Sequence, residues 1–220
     1  MYPSFDELLL RVIEDQKINL VWDIGANEGQ FVQMLREAGF KGKIISCEPL
    51  SQAFADLEKA AAQDPLWTTL KVAVGDVRGT AKLQIAGNSV SSSLRPMKDR
   101  HVEAAPKSRI VGSEDCEVWP LQDLWELHCS PEDRALLKID TQGYESQVLT
   151  GAEKIFPKLF GILLEMSFVE LYEGQTTFIA QYEYLLRHGY YPVAIQPVFL
   201  NRKTLELLQS DFLFKRRQEA

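Results

Sequence analysis

From residue 20 the chain reads Leu-Val-Trp-Asp-Ile and stops at Gly25, and between Gln30 and Ala38 apolar side chains recur at Phe31, Met34, Leu35 and Ala38. The first run does not alternate and the second has helical spacing, which predicts a buried strand, a tight turn and a helix folded back on it. The pattern repeats at once. Lys43 to Cys47, with Ile44 and Ile45, predicts a second strand, and Gln52 to Ala62, with Phe54, Leu57 and Ala61, a second helix. Leu70 to Val74 predicts a third strand, and Thr80 to Ile85 an added strand after the turn at Val77-Arg78-Gly79. Ahead of these units Ser4 is a suitable N-cap, Asp6 and Glu7 suit a first turn, and Leu8, Leu9, Val12 and Ile13 form a stripe. Residues 1–17 are therefore read as a leading helix that covers one edge of the domain.

In the second half, Cys116 to Trp119 reads as a short strand and Leu121 to Leu127 as a short helix. Ala135 to Asp140 is a buried strand ending in an acid, followed by Gly143 and a helix through Val148, Leu149 and Ile155. Phe160 to Met166 is a further strand, Ile179 to Leu186 a helix closed by Gly189, and Tyr190 to Ile195 and Phe212 to Phe214 the last strands. Strands alternating with helices this regularly predict an α/β fold, one domain over residues 1–220, with a mainly parallel sheet covered on both faces. Such sheets bind ligands beyond the carboxyl ends of their strands, where the strand order reverses. Residues 87–115 lack periodicity and predict a long loop acting as a lid or acceptor-binding segment. Its Arg95, Lys98, Arg100, Lys107 and Arg109 point to an anionic ligand.

Composition narrows the classes. With 45% apolar and 25% charged residues the chain is of ordinary globular type, and its net charge of −7 argues against a general nucleic-acid binder. No apolar stretch approaches the roughly 20 residues of a membrane span. The N-terminus has acids where a signal peptide would be apolar, so a cytoplasmic site is expected. Cys47, Cys116 and Cys129 are widely spaced and read as reduced thiols.

The chemistry concentrates at strand ends. In Asp23-Ile24-Gly25-Ala26-Asn27-Glu28-Gly29-Gln30-Phe31, Gly25 and Gly29 permit a tight turn, and the next helix opens with free N–H groups that favour a carboxylate or phosphate. Asp23 is a candidate for the cationic end of a zwitterion, although a purely structural turn fits the glycines too. The dinucleotide pattern G-x-G-x-x-G is broken, because Asn27 takes the second glycine position, which argues against a nicotinamide-dependent oxidoreductase. Glu48, ending the second strand before Pro49, stands where this kind of fold places an acid on ribose hydroxyls. Gly75-Asp76 after the third strand is a weaker candidate for an adenine contact, since Gly-Asp is also turn chemistry.

Taken with Ala73-Val74-Gly75-Asp76, Ser91-Ser92-Ser93-Leu94, Leu137-Lys138-Ile139-Asp140-Thr141-Gln142-Gly143-Tyr144-Glu145 and the ending Leu207 to Phe214, these motifs resemble the FkbM family of methyltransferases, in order from about residue 20 to 216. The resemblance implies a class I methyltransferase (Rossmann-like) fold, with a seven-stranded sheet whose last strand is antiparallel. It further implies S-adenosylmethionine as cofactor and O-methylation of a sugar, a glycan intermediate or a small natural product. Cofactor contacts are then expected from Asp23, Gly25, Ala26, Asn27, Gly29, Phe31, Glu48, Pro49, Gly75, Asp76 and Ser92. At Thr141-Gln142 the chain departs from the family's usual residues, which leaves the acceptor open.

A sulfonium methyl is already activated, so the protein must mainly align the acceptor and help remove its proton. Asp140 is the first candidate for base or acceptor anchor and Glu165 the second, with helix capping or turn fixing as the structural alternative for Asp140. Glu145 is placed in the first turn of the next helix, where it complements the dipole. A divalent cation shared by Asp140 and Glu165 would have only two visible ligands, so no metal is assigned. His101 is read as an exposed loop histidine, inert or a base, and the four tryptophans as packing. The expected partner is a small-molecule or saccharide acceptor, not nucleic acid, with a homodimer left open. The competing function is a catalytically silent cofactor-binding module.

Overall fold

All five residues of Leu20–Ile24 (β1) are buried, as are four of the five in Ala135–Ile139 (β7). Neither run alternates because a parallel strand covered on both faces has no solvent side. The computed structural model describes residues 2–217. Met1 and residues 218–220, at the ends of the expected 1–17 and 1–220 segments, lie outside the described residues. Helix Phe5–Asp15 (α1) starts as a capping box: the Ser4 hydroxyl accepts from the Glu7 N–H at 3.2 Å, and Glu7 Oε2 accepts from the Ser4 N–H at 2.7 Å. Such a cap contributes on the order of 1 kcal/mol.

Along the chain follow Gln30–Glu37 (α2), Lys43–Cys47 (β2), Ser51–Ala61 (α3), Trp67–Leu70 (β3), Ala73–Gly75 (β4), Gly79–Ala86 (β5), Asp99–Ala104 (α4), Ile110–Pro120 (β6) and Leu121–His128 (α5). After β7 come Glu145–Gly151 (α6), Leu159–Ser167 (β8), Phe178–Arg187 (α7), Tyr190–Asn201 (β9) and Glu206–Arg216 (β10). Seven strands form one sheet in the order β3-β2-β1-β7-β8-β10-β9. The pairs from β3 to β8 are parallel, and β10 runs antiparallel to both its neighbours, as expected for the last strand. The order reverses between β1 and β7, so the crevice at their carboxyl ends is the place for a ligand.

Strand periodicity sorts the core. Leu20, Trp22 and Ile24 of β1 pack with Leu121, Leu124 and Trp125 of α5 and Val148 and Leu149 of α6 on one face. Val21, Ile44, Leu136 and Leu163 pack on the other with Leu9 and Val12 of α1, Val32 and Leu35 of α2 and Leu57 of α3. Among the described residues no helix is long and apolar enough to cross a membrane.

Five expectations need correction. The expected third strand, Leu70 to Val74, is split: β3 ends at Leu70 on the main sheet, while β4 pairs with β6 in a second sheet of order β4-β6-β5. Residues 87–115 are not one loop, because α4 lies within them and β6 begins at Ile110. The first six positions of β6 are exposed or half-buried, so the strand carries no alternation of burial there and is held to β5 by its backbone ladder and an exposed Lys82–Asp115 pair. The last strands are longer than expected, β9 running on to Asn201 and β10 spanning Glu206–Arg216, and register shifts between them break their period.

The basic residues of residues 87–115 are also largely spoken for. Lys98 pairs with Glu170, Arg100 with Glu206, and Arg95 donates to the Glu173 carbonyl at 2.8 Å. They strap the segment to neighbouring loops and do not line the crevice. His101 is not an exposed loop residue: it lies in α4, 2% exposed, its Nδ1 2.9 Å from Ser108 Oγ and its ring against Tyr172 and Phe199. Burial pushes it down to about 4, so it stays neutral at physiological pH.

Candidate active site

A cavity of about 330 Å³ opens at the carboxyl ends of β1, β2 and β7. Its first wall is the turn between β1 and α2. Gly25 has φ +76°, and a Cβ there would lie 1.9 Å from the Asp140 carbonyl oxygen, so the main chains of the two strand ends touch. The Gly25 and Ala26 N–H groups donate to the Cys47 carbonyl at 3.0 and 3.1 Å, and Asn27 turns left-handed with φ +49°. Glu48 ties this turn from β2: its Oε2 accepts from the Asn27 N–H and its Oε1 from the Leu50 N–H, both at 2.8 Å. Each oxygen keeps a lone pair. Burial pushes the Glu48 carboxyl up to about 7, although these backbone bonds and Lys138 draw it down.

Gly29 caps α2 at φ +91°, and a Cβ there would lie 2.6 Å from the Trp67 ring. It faces the core and not the cavity. Trp67 Nε1 donates to Ser46 Oγ at 2.9 Å, and Ser46 Oγ donates to Asp23 Oδ2 at 3.3 Å. Asp23 is fully buried, with Lys138 Nζ 3.1 Å from its Oδ1. Its cationic partner is thus internal. Lys138 also donates to the Gly25 carbonyl at 2.9 Å and stands 3.8 Å from Asp140 Oδ2. Burial alone would lower the Lys138 pKa, but Asp23 and Asp140 hold it above the usual lysine range, so it is charged.

Beyond Lys138 the cavity is acidic. Asp140, Glu165 and Asp211 all line it, and Asp211 on β10 sits opposite Glu165 on β8. Burial, then Asp140, then Asp211 push the Glu165 carboxyl well above the carboxylate range, and burial followed by Asp140 pushes Asp211 up to about 6. Two amides engage Glu165 Oε2, from Gln142 at 2.9 Å and Gln209 at 2.6 Å. Glu145, in the first turn of α6, is buried and accepts from the N–H groups of Thr141 at 3.2 Å and Gly143 at 2.9 Å. It fixes the turn after β7. Among the described residues no three His, Cys, Asp or Glu side chains are grouped as a metal site requires.

Opposite the acids the lining is apolar, with Pro49, Val72, Val74 and Leu83, and the serine segment borders it through Ser92 and Ser93. Ser92 Oγ accepts from the Ala86 N–H at 3.1 Å. Of the residues expected at a cofactor site, Gly25, Ala26, Asn27, Phe31, Glu48, Pro49 and Ser92 line this one cavity, as do Asp140 and Glu165. Asp23, Gly29, Gly75 and Asp76 do not. Gly75 is covered by Val118 and Tyr144, and Asp76 is exposed. Lys138, Gln142, Tyr144 and Asp211 were not singled out as site residues, although all four stand inside motifs read from the sequence. Their register across three strands was the missing signal.

Comparison with known proteins gives the family and the fold. The family model described as Methyltransferase FkbM domain matches residues 23–192. The 2-O-methyltransferase NoeI of Sinorhizobium fredii (strain NBRC 101917 / NGR234) is 27% identical over 163 residues, which cover 71% of this chain and 66% of that protein. The chain therefore spans just under two thirds of that relative. The crystal structure of methyltransferase FkbM from Methylobacillus flagellatus KT superimposes with a TM-score of 0.55 at 16% identity, over 90% of this chain and 43% of the other. An rRNA methylase from Streptococcus thermophilus does so with 0.52 at 11% identity, over 99% of both. These two likenesses are of fold.

Proposed function

We propose, from the premise that this chain belongs to the methyltransferase FkbM family, that it binds S-adenosylmethionine in the cavity at β1, β2 and β7 and methylates a hydroxyl of a sugar, glycan intermediate or small natural product. One observation carries the reading: a buried carboxylate, Glu48, tied to the glycine turn, faces the same cavity as Asp140 and Glu165. The residues present fit the cofactor. Glu48 has free lone pairs for two ribose hydroxyls, the slot of Pro49, Val72, Val74 and Leu83 suits a flat adenine, and Gly25, Ala26 and Asn27 line the part of the cavity where the amino-acid end would lie. Asp23 and Gly29 would act one step back, Asp23 by holding Lys138 and Gly29 by seating α2 on Trp67.

Bound S-adenosylmethionine would supply an electrophilic methyl group. The chain's own part is to hold the acceptor oxygen in line with it, exclude water and take up the acceptor's proton. Asp140 is the proposed proton acceptor, at the end of a central strand and with its Oδ2 side toward the charged Lys138. Glu165 and Asp211 are proposed to anchor further acceptor hydroxyls, for which carboxyl groups are apt partners in either protonation state. Calorimetric titration with S-adenosylmethionine and its demethylated product tests the core of this: both should bind, and binding of neither would end the proposal.

Glu48→Ala should weaken donor binding by about 1.5–3 kcal/mol, the usual loss for hydrogen bonds to a charged group. An affinity equal to that of the unaltered protein would remove Glu48 from the ribose site. A pH effect follows from its raised pKa of about 7 in the free protein. Ribose hydroxyls favour the ionised carboxylate, so binding must first release a proton below that pH and is free of the cost above it. Affinity should rise about tenfold between pH 6 and 8, which is one pKa unit's worth of linkage. A flat calorimetric profile over that range would contradict it.

A further inference from the structure

Gln142 is buried beside the acids, and its backbone turns left-handed at φ +54°, a conformation that a side chain other than glycine adopts at a cost. That turn sends its side chain back over the strand ends. There its Nε2 lies 2.8 Å from Asp140 Oδ1 and 2.9 Å from Glu165 Oε2, while its Oε1 accepts from the Tyr172 hydroxyl at 2.8 Å. An amide nitrogen has two hydrogens, and here each has one carboxylate oxygen. The Tyr172 hydroxyl, fully buried, lies nearer to this amide oxygen than to its other acceptor, the Ser91 carbonyl at 3.1 Å, and by donating to it keeps the amide nitrogen toward the acids.

The seat is built for this. A Cβ on Gly143 would lie 2.8 Å from Tyr172 Cβ, so Tyr172 packs directly on the turn that carries Gln142. Ser93 Oγ donates to the Gln142 carbonyl at 2.6 Å, and the Tyr172 hydroxyl also reaches the Ser91 carbonyl at 3.1 Å, which joins the serine segment to the same unit.

We propose that Gln142 is a positioning residue: its amide, oriented by Tyr172, bridges Asp140 and Glu165, fixes their separation and stabilises Glu165 as a carboxylate. The first part needs only the geometry, whereas its meaning for catalysis rests on the reading that these two acids face the acceptor. Without the bridge two neighbouring carboxyls would repel or share a proton. The groups facing Glu165 are Asp140 and Lys138 on or beside β7, Asp211 and Gln209 on β10, Glu145 on α6 and Tyr172. Among these Lys138 is the one cation, and it is matched by Asp23. The amides of Gln142 and Gln209 are the neutral donors that favour the ionised form.

The test is a pH titration of the Glu165 carboxyl by NMR in protein labelled at glutamate carboxyls, the signal being assigned by its loss in Glu165→Gln. In Gln142→Met, similar in size but without donors, Glu165 should titrate about one pH unit higher than in the unaltered protein. Tyr172→Phe, which frees the amide to turn over, should move it part of the way. An unmoved Glu165 titration in a folded Gln142→Met overturns the proposal; if that variant does not fold, an unmoved titration in Tyr172→Phe does so. Calorimetry with the demethylated cofactor on the unaltered protein judges the methyltransferase reading separately, because the titration needs no ligand.

Discussion

Gly25→Ala should abolish donor binding and lower stability by about 2–5 kcal/mol, combining the cost of a left-handed non-glycine residue with that of overpacking. The added Cβ would fall 1.9 Å from the Asp140 carbonyl oxygen, which belongs to the end of a central strand and has nowhere to move. Separation of the two strand ends would also break the Lys138 bond to the Gly25 carbonyl. Gly39→Ala is the internal control. Gly39 has φ +93° but no atom within 4 Å of its Cβ position, so it should lose only about 1 kcal/mol to conformation. Denaturant midpoints and calorimetry measure both variants, and equal losses would show that contact with Asp140 is not what requires glycine.

Asp140→Asn should cut methyl transfer by about 10²–10⁴-fold, the usual weight of a positioned general base. Stability and donor affinity should change little, because an asparagine Oδ1 can still accept from Gln142 Nε2 and the backbone contact with Gly25 is untouched. Transfer of a labelled methyl to an accepted hydroxyl compound measures the loss. Full turnover would strip Asp140 of the role and direct attention to Glu165, whose raised pKa suits a base that acts at higher pH.

Much of this was legible because buried parallel strands and amphipathic helices leave strong local patterns. β1, β2 and β7 were read within a residue of their ends, and with them Gly25, Glu48 and Asp140, since each stands next to a strand end that local composition marks. What escaped depends on pairing between distant segments. β4 leaves the main sheet because Ala73–Gly75 finds β6, and no local signal distinguishes that from a continuing strand. Only Cys116 to Trp119 of β6 was read as strand, because its outer half lies on a solvated ribbon, where alternation brings no burial. Asp211 and Gln209 reach the site only through the register of β10 on β8. Asp23 was expected to face the cationic end of a zwitterion, whereas it pairs with Lys138, its register partner on β7, which no pattern within β1 could reveal.

β10 is inserted between β8 and β9 although it follows both in the chain, and this orders how the protein assembles. A chain emerging from the ribosome can complete the donor turn, Glu48 and Asp140 long before Asp211 and Gln209 exist. Until β10 slides into place, Glu165 lacks one of its two amide donors and the gap beside β8 remains an open edge, prone to pair wrongly. The acidic end of the cavity is thus assembled only after β10 has been made and has paired with β8.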